Sequence, residues 1–264
     1  MPFPEQPSAK RDVGSYFSGR ADVYAAHRPS YPPTAIETAL AGLGAPARVA
    51  DVGCGTGISS RMLAHVGAKV IGLDPNQEML AQARRQSADH DASISYRRGT
   101  GEQTGLDESS VDLVLCAQSF HWFDAPAALA EFHRILVPAG RLALLWNIRQ
   151  PIDAFMVGYE ETVRRAREDA ESQGRVVRRN RSHHPDDTGL FTNVRVFTFD
   201  NPQRLDLSAL LGRAHSASYF PRSGPVCREL EEALRDLFAE HQSDGYITLR
   251  QRAELTLADP IPER

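Results

Sequence analysis

Val49-Ala50-Asp51-Val52-Gly53-Cys54-Gly55-Thr56-Gly57 is an apolar run that ends in an acid and breaks into alternating glycines. Branched apolar residues favour a strand, and glycines admit the positive-φ turns by which a strand swings into a helix. With a helix expected over residues 57–65, the stretch reads as a strand-turn-helix corner of an α/β sheet. Ligands bind at such corners, in the crevice at the carboxyl ends of the strands. The dinucleotide spacing Gly-x-Gly-x-x-Gly fails here, because Ile58 stands where glycine or alanine is required and Gly57 comes one place early. Asp51 also puts a negative charge at the strand tip, which repels a pyrophosphate and suits a cationic ligand.

Outward from this corner the pattern alternates. Strands are expected at 48–52, 69–73, 93–98, 111–116 and 141–146, with helices at 76–86 and 125–136 between them. Short apolar strands separated by amphipathic helices give a parallel sheet with helices on both faces. Upstream, a helix over 34–43 starts at Thr34 as its N-cap. Downstream come a charged helix at 153–173, a polar loop at 174–188, a strand at 194–199, helices at 207–217 and 226–241, and a last strand at 246–255 that pairs antiparallel with 194–199. The expected fold is an α/β, doubly wound, mostly parallel seven-stranded Rossmann-like sheet with an antiparallel last strand. Four segments follow: a lead-in lid at 1–35, a cofactor-binding core at 36–150, a helical insertion and loop capping the substrate at 151–192, and a C-terminal completion at 193–264.

Composition narrows the function. A formal net charge of -4 lacks the basic excess of a phosphate-gripping protein, so nucleic acid is not an expected partner. Cys54, Cys116 and Cys227 are far apart and show no Cys-x-x-Cys spacing, and His183-His184 has no third ligand at a recognisable spacing, so neither a metal nor a disulfide is expected. No apolar run is long enough to span a membrane, and the first residues lack a leader pattern; a cytoplasmic protein with no membrane partner is expected. Oligomeric state is not encoded in any motif found.

Asp74 closes the second strand, Val70-Ile71-Gly72-Leu73-Asp74. At a strand tip an acid can take both ribose hydroxyls, or serve as a solvated residue ahead of the helix near Asn76. With these residues the chain resembles the class I S-adenosylmethionine-dependent methyltransferases over residues 45–147. Gly99-Thr100-Gly101-Glu102 resembles the element that lines the adenine, with Thr100 in place of the usual acid. Arg134-Ile135-Leu136-Val137-Pro138-Ala139-Gly140 resembles the turn before the fifth strand. A narrower likeness, to the trans-aconitate methyltransferase-like branch, rests on Arg28-Pro29-Ser30-Tyr31-Pro32 and on Gln118-Ser119-Phe120-His121-Trp122-Phe123.

The resemblance implies S-adenosylmethionine as cofactor, surrounded by Asp51, Gly53, Gly55, Gly57, Asp74, Pro75, Asn76, Gly101, Glu102 and Gln118. It implies methyl transfer by in-line displacement to a small-molecule acceptor, a carboxylic acid among the candidates. Such chemistry needs mainly alignment, since well-placed reactants reach effective molarities of about 10^5 to 10^8 M. His121 has two readings: a general base for a hydroxyl, amine or carbon acid, or a side chain that fixes its loop. Trp122 reads as pocket wall. Phe17, Tyr24, Arg28 and Tyr31 read either as a lid over the donor or as cover for the sheet edge. Two other functions use the same sheet: a nicotinamide-dependent oxidoreductase, disfavoured by Ile58 and Asp51, and a catalytically silent methyltransferase-like binding protein.

Overall fold

The computed structural model describes residues 22, 26–88, 93–174 and 184–262. Phe17, Tyr24 and His183 lie outside the described residues, as does most of the polar loop at 174–188. In chain order the described elements are α1 (Pro33–Leu40), β1 (Arg48–Val52), α2 (Ile58–His65), β2 (Lys69–Leu73), α3 (Gln77–Gln86), β3 (Ile94–Arg97), β4 (Val111–Ala117), α4 (Ala125–Ile135) and β5 (Leu136–Arg149). They continue with α5 (Ala154–Ser172), β6 (Phe191–Asp200), β7 (Gln203–Leu205), α6 (Leu207–His215), α7 (Pro225–His241), β8 (Ile247–Leu249) and β9 (Gln251–Pro260).

Seven strands form one sheet in the order β3-β2-β1-β4-β5-β9-β6. β1 pairs in parallel with β2 on one side and β4 on the other, so the strand order reverses between β1 and β4. That reversal leaves a crevice above the carboxyl ends of these two strands. Four of the five residues of β1 are buried, as a strand covered on both faces requires. The coverage is visible in two apolar clusters, one on each face, around Ile36, Leu63 and Leu115 and around Phe120, Leu129 and Phe132.

Three features depart from the sequence reading. The C-terminal stretch is two strands, not one. β8 pairs with β7 in a separate two-stranded ribbon, whereas β9 is antiparallel both to β5 and to β6, and so lies inside the sheet beside the edge strand. Arg250 marks the break, and its guanidinium is drawn to Asp153 at 2.7 Å. Second, α1 starts at Pro33 rather than at a Thr34 cap, with no side-chain cap at Pro32. Proline is well suited to the first helical turn, where its missing N–H costs nothing. Third, the turn at 138–140 is absorbed into β5: Val111 faces Leu136 and Leu113 faces Arg141, a bulge that leaves helix and strand contiguous.

A cap covers the crevice. α5, α6, α7 and the β7–β8 ribbon share an apolar core of their own, including Phe155, Leu210, Leu230 and Leu249. In α7 the buried positions Cys227, Leu230 and Leu234 recur at helical spacing and face it. Residues of 203–249 pack with α5 in this cap, while β6 and β9 return to the sheet.

Candidate functional site at the strand-order reversal

The glycine turn is held by the neighbouring strand: the N–H groups of Gly53 and Cys54 both donate to the Leu73 carbonyl, at 2.7 and 3.0 Å. Gly57 sits at the N-cap of α2 with φ +77, and a Cβ there would meet Tyr96 Oη at 2.3 Å. Both the backbone and the close approach of β3 thus require glycine.

Asp51 is wholly buried at the end of β1. Its Oδ2 accepts from Ser59 Oγ at 2.7 Å and Ser60 Oγ at 2.5 Å, tying the strand to the first turn of α2. Burial above all pushes its pKa up to about 6, opposed by the Ser60 and Ser59 hydrogen bonds. Asp74, at the tip of β2, accepts from the Gly55 N–H at 3.0 Å and the Asn76 N–H at 2.8 Å. It bridges the two turns, and burial raises it too to about 6. Asn76 is the cap of α3, its Oδ1 accepting from Glu78 and Met79, with half-buried Pro75 between it and Asp74.

Gly101 packs under Phe123, whose ring would lie 2.5 Å from a Cβ at that position. Glu102 accepts from the Asp124 N–H at 2.7 Å, so its described role is to anchor the start of α4. Gln118 has φ +60 and donates through Nε2 to the Asn147 carbonyl at 3.1 Å. His121 lies in a 3-10 turn, Phe120–Trp122, and is 8% exposed. Its ring is 4.9 Å from Trp122 and 5.4 Å from Trp146.

A cleft of about 500 Å³ brings together the glycine turn and the end of β4; Asp51, Gly55, Gly57, Asp74, Pro75, Asn76, Gly101 and Glu102 are not among the residues that line it. Gly53, Thr56 and Ser59 form the sheet side and Gln118, His121 and Trp122 the β4 end, while Arg28 and Tyr31 close in from the lead-in. Tyr31 is also 7% exposed and packs in the core with Ile36. Arg28 donates to the Ser216 carbonyl at 3.1 Å, and Asn147 and Asn201 both donate to the Ser30 carbonyl. The lead-in is therefore tied to both sheet and cap. The cap contributes Arg167, Arg213 and Tyr219, and β5 contributes Asn147 and Arg149. Sequence reasoning missed these five. One signal was available: Arg213 interrupts an otherwise apolar face formed by Leu210 and Ala214.

Two buried polar atoms at the turn, Asp51 Oδ1 and Thr56 Oγ1, have no hydrogen-bond partner among the described residues. A free carboxylate oxygen and a hydroxyl beside a glycine turn fit a ligand bearing an ammonium group. Among the described residues, His215, Cys227 and Glu231 lie close enough together to share a metal; they are in the cap, where a 2.7 Å His215–Glu231 hydrogen bond already joins two of them.

This sheet order, with an acid-capped first strand and a Gly-x-Gly-x-Gly turn at the reversal, defines the class I methyltransferase type. A methyltransferase domain family matches residues 50–144. Uncharacterized methyltransferases of Mycobacterium bovis and Mycobacterium tuberculosis are 34% identical over 259 residues, covering 94% of this chain and 98% of theirs. The solved structure of a protein assigned as a type II methyltransferase from Anaeromyxobacter dehalogenans has a TM-score of 0.63 at 22% identity, over 89% of this chain and 99% of that one. The YcgJ protein of Bacillus subtilis, with a TM-score of 0.53 at 19% identity over 86% and 97% of the two chains, shares the fold. The chain belongs to the methyltransferase family. No helix among the described residues is long and apolar enough to cross a membrane.

Proposed function

We propose that the protein transfers a methyl group from S-adenosylmethionine to a small molecule, with a carboxylic acid as the acceptor class. The observation that carries this reading is the cleft itself, about 500 Å³ with the glycine turn on one wall and the cap on another. That volume lies within the range of small-ligand pockets, about 300–1,000 Å³.

The bound donor supplies a methyl carbon already activated by its sulfonium. The chain's own residues then bind and align. Asp74 receives ribose hydroxyls, Asp51 and Thr56 receive the ammonium end, and Arg28 takes the donor carboxylate. Pro75, Asn76, Gly101 and Glu102 shape the adenine side. Gln118 stands on the donor side, His121 and Trp122 stand at the acceptor, and the cap excludes water. A carboxylate acceptor is already ionised at neutral pH and needs no base; His121 then orients it.

Calorimetric titration with S-adenosylmethionine, S-adenosylhomocysteine and NAD, followed by a methyl-transfer screen over carboxylic acids, phenols and amines, tests the proposal. Both adenosyl ligands bind and NAD does not; label accumulates on an acid. Asp74→Ala weakens the donor by about 1.5–3 kcal/mol, the range for hydrogen bonds to a charged group. NAD binding without adenosyl-ligand binding would favour an oxidoreductase, and donor binding without transfer to any acceptor would favour a silent binding protein.

A further inference from the structure

The cap side of the cleft is strongly cationic. Arg167 and Arg213 of the cap line it together with Arg28 of the lead-in and Arg149 of β5, and Glu160 is the one carboxylate among the described lining residues. Glu160 is already engaged, in an ion pair with Arg149. Arg167 lies over the Tyr219 ring, 4.9 Å from its centroid. Arg213 is 6% exposed, and its Nε has no hydrogen-bond partner among the described residues. The charged and phenolic groups that act on it most strongly are Arg28, the phenols of Tyr159 and Tyr219, and Arg149. Burial first, and then Arg28, lower its pKa to about 10, so it remains a cation at neutral pH.

A buried guanidinium beside other arginines is costly unless an anion completes it. The cavity it lines is where that anion can enter. Accepting the reading of the cleft as the acceptor site, we infer that the acceptor carries an oxyanion, a carboxylate or a phosphate, that docks on Arg213 with Arg167 and Tyr219 beside it. Arg213 thereby selects acidic acceptors, and does so through a group that need not be the one methylated. The planar guanidinium favours such groups because two parallel N–H donors match two oxygens.

The probes are succinate, phenyl phosphate and the neutral analogue succinamide, titrated calorimetrically into protein saturated with S-adenosylhomocysteine and again without it. Wild-type protein binds succinate or phenyl phosphate, whichever oxyanion the site accepts, and not succinamide. Arg213→Met weakens that anion at least about tenfold, in the range for charge-assisted hydrogen bonds, and leaves S-adenosylhomocysteine within about twofold. Arg213→Lys restores part of the binding. Absence of anion binding in the wild type, equal binding of succinamide, or unchanged anion affinity in folded Arg213→Met overturns the inference. So does a tenfold loss of S-adenosylhomocysteine affinity with the anion retained, which would assign Arg213 to the donor's carboxylate. If Arg213→Met does not fold, half-buried Arg167→Gln decides: it weakens the same anion several-fold, and no change overturns the inference. A wild type that binds the anion but not S-adenosylhomocysteine would refute the donor reading and leave the anion site standing.

Discussion

Asp51 spends one carboxylate oxygen on two serine hydroxyls, and the other has no hydrogen-bond partner among the described residues. Its folded pKa, raised to about 6, exceeds the ordinary value of 3.8. Folding therefore favours the protonated acid. The stability this group contributes is present in full below about pH 4 and lost as pH rises through 6, a difference of about 3 kcal/mol at most. In the donor-free protein Asp51→Asn is expected to raise the denaturation midpoint at pH 8 and to flatten the pH dependence between 4 and 6. An unchanged slope would exclude Asp51 as its source. With donor present the sign reverses, because an ammonium favours the carboxylate: donor affinity falls as pH drops below 6. His121 makes a separate test. His121→Ala is expected to lower kcat while leaving the donor Kd nearly intact, with a pH-dependent loss only if the imidazole takes a proton; a large rise in donor Kd would assign it a structural role.

The turn between β1 and α2 couples three elements. β1 delivers Asp51 and the glycines, Leu73 of β2 accepts from the turn, and Tyr96 of β3 presses on Gly57 and hydrogen-bonds Ser87 at 2.8 Å. Gly57→Ala must both adopt a positive φ and displace the tyrosine ring. It is expected to cost about 1–3 kcal/mol of stability and to weaken the donor, read from urea denaturation and calorimetry. Wild-type stability and donor affinity in that variant would show that the turn tolerates a side chain.

Sheet and cap have separate apolar cores and meet around the cleft. Residues 28–31 bridge them through Arg28–Ser216 and through Asn147 and Asn201 on Ser30. A truncation that keeps this bridge is the fair test of a lid in the preceding segment. Removing residues 1–25 is expected to leave the melting temperature within a few degrees and to reduce donor affinity and turnover. Full turnover in the truncated protein would refute the lid and leave these residues as cover.

Local chemistry alone determined a good deal here. β1 and β2 coincide with their apolar runs residue for residue, and α3 starts one residue after Asn76, because strand preference, glycine turns and side-chain caps act over a few residues. The glycine turn and Asp74 came from the same short-range signals. Pairing order did not. Nothing near 246–255 says that the chain breaks at Arg250, where the guanidinium meets Asp153, far away in sequence, and beyond which β9 enters the slot between β5 and β6. The cationic wall was equally hidden. Arg149, Arg167 and Arg213 come from three different elements, and an arginine in a helix reads as a solvated charge until the packing of the cap buries it beside a cavity. Only the tertiary structure decides which charges lose their water, and here that desolvation separates a surface residue from a binding one.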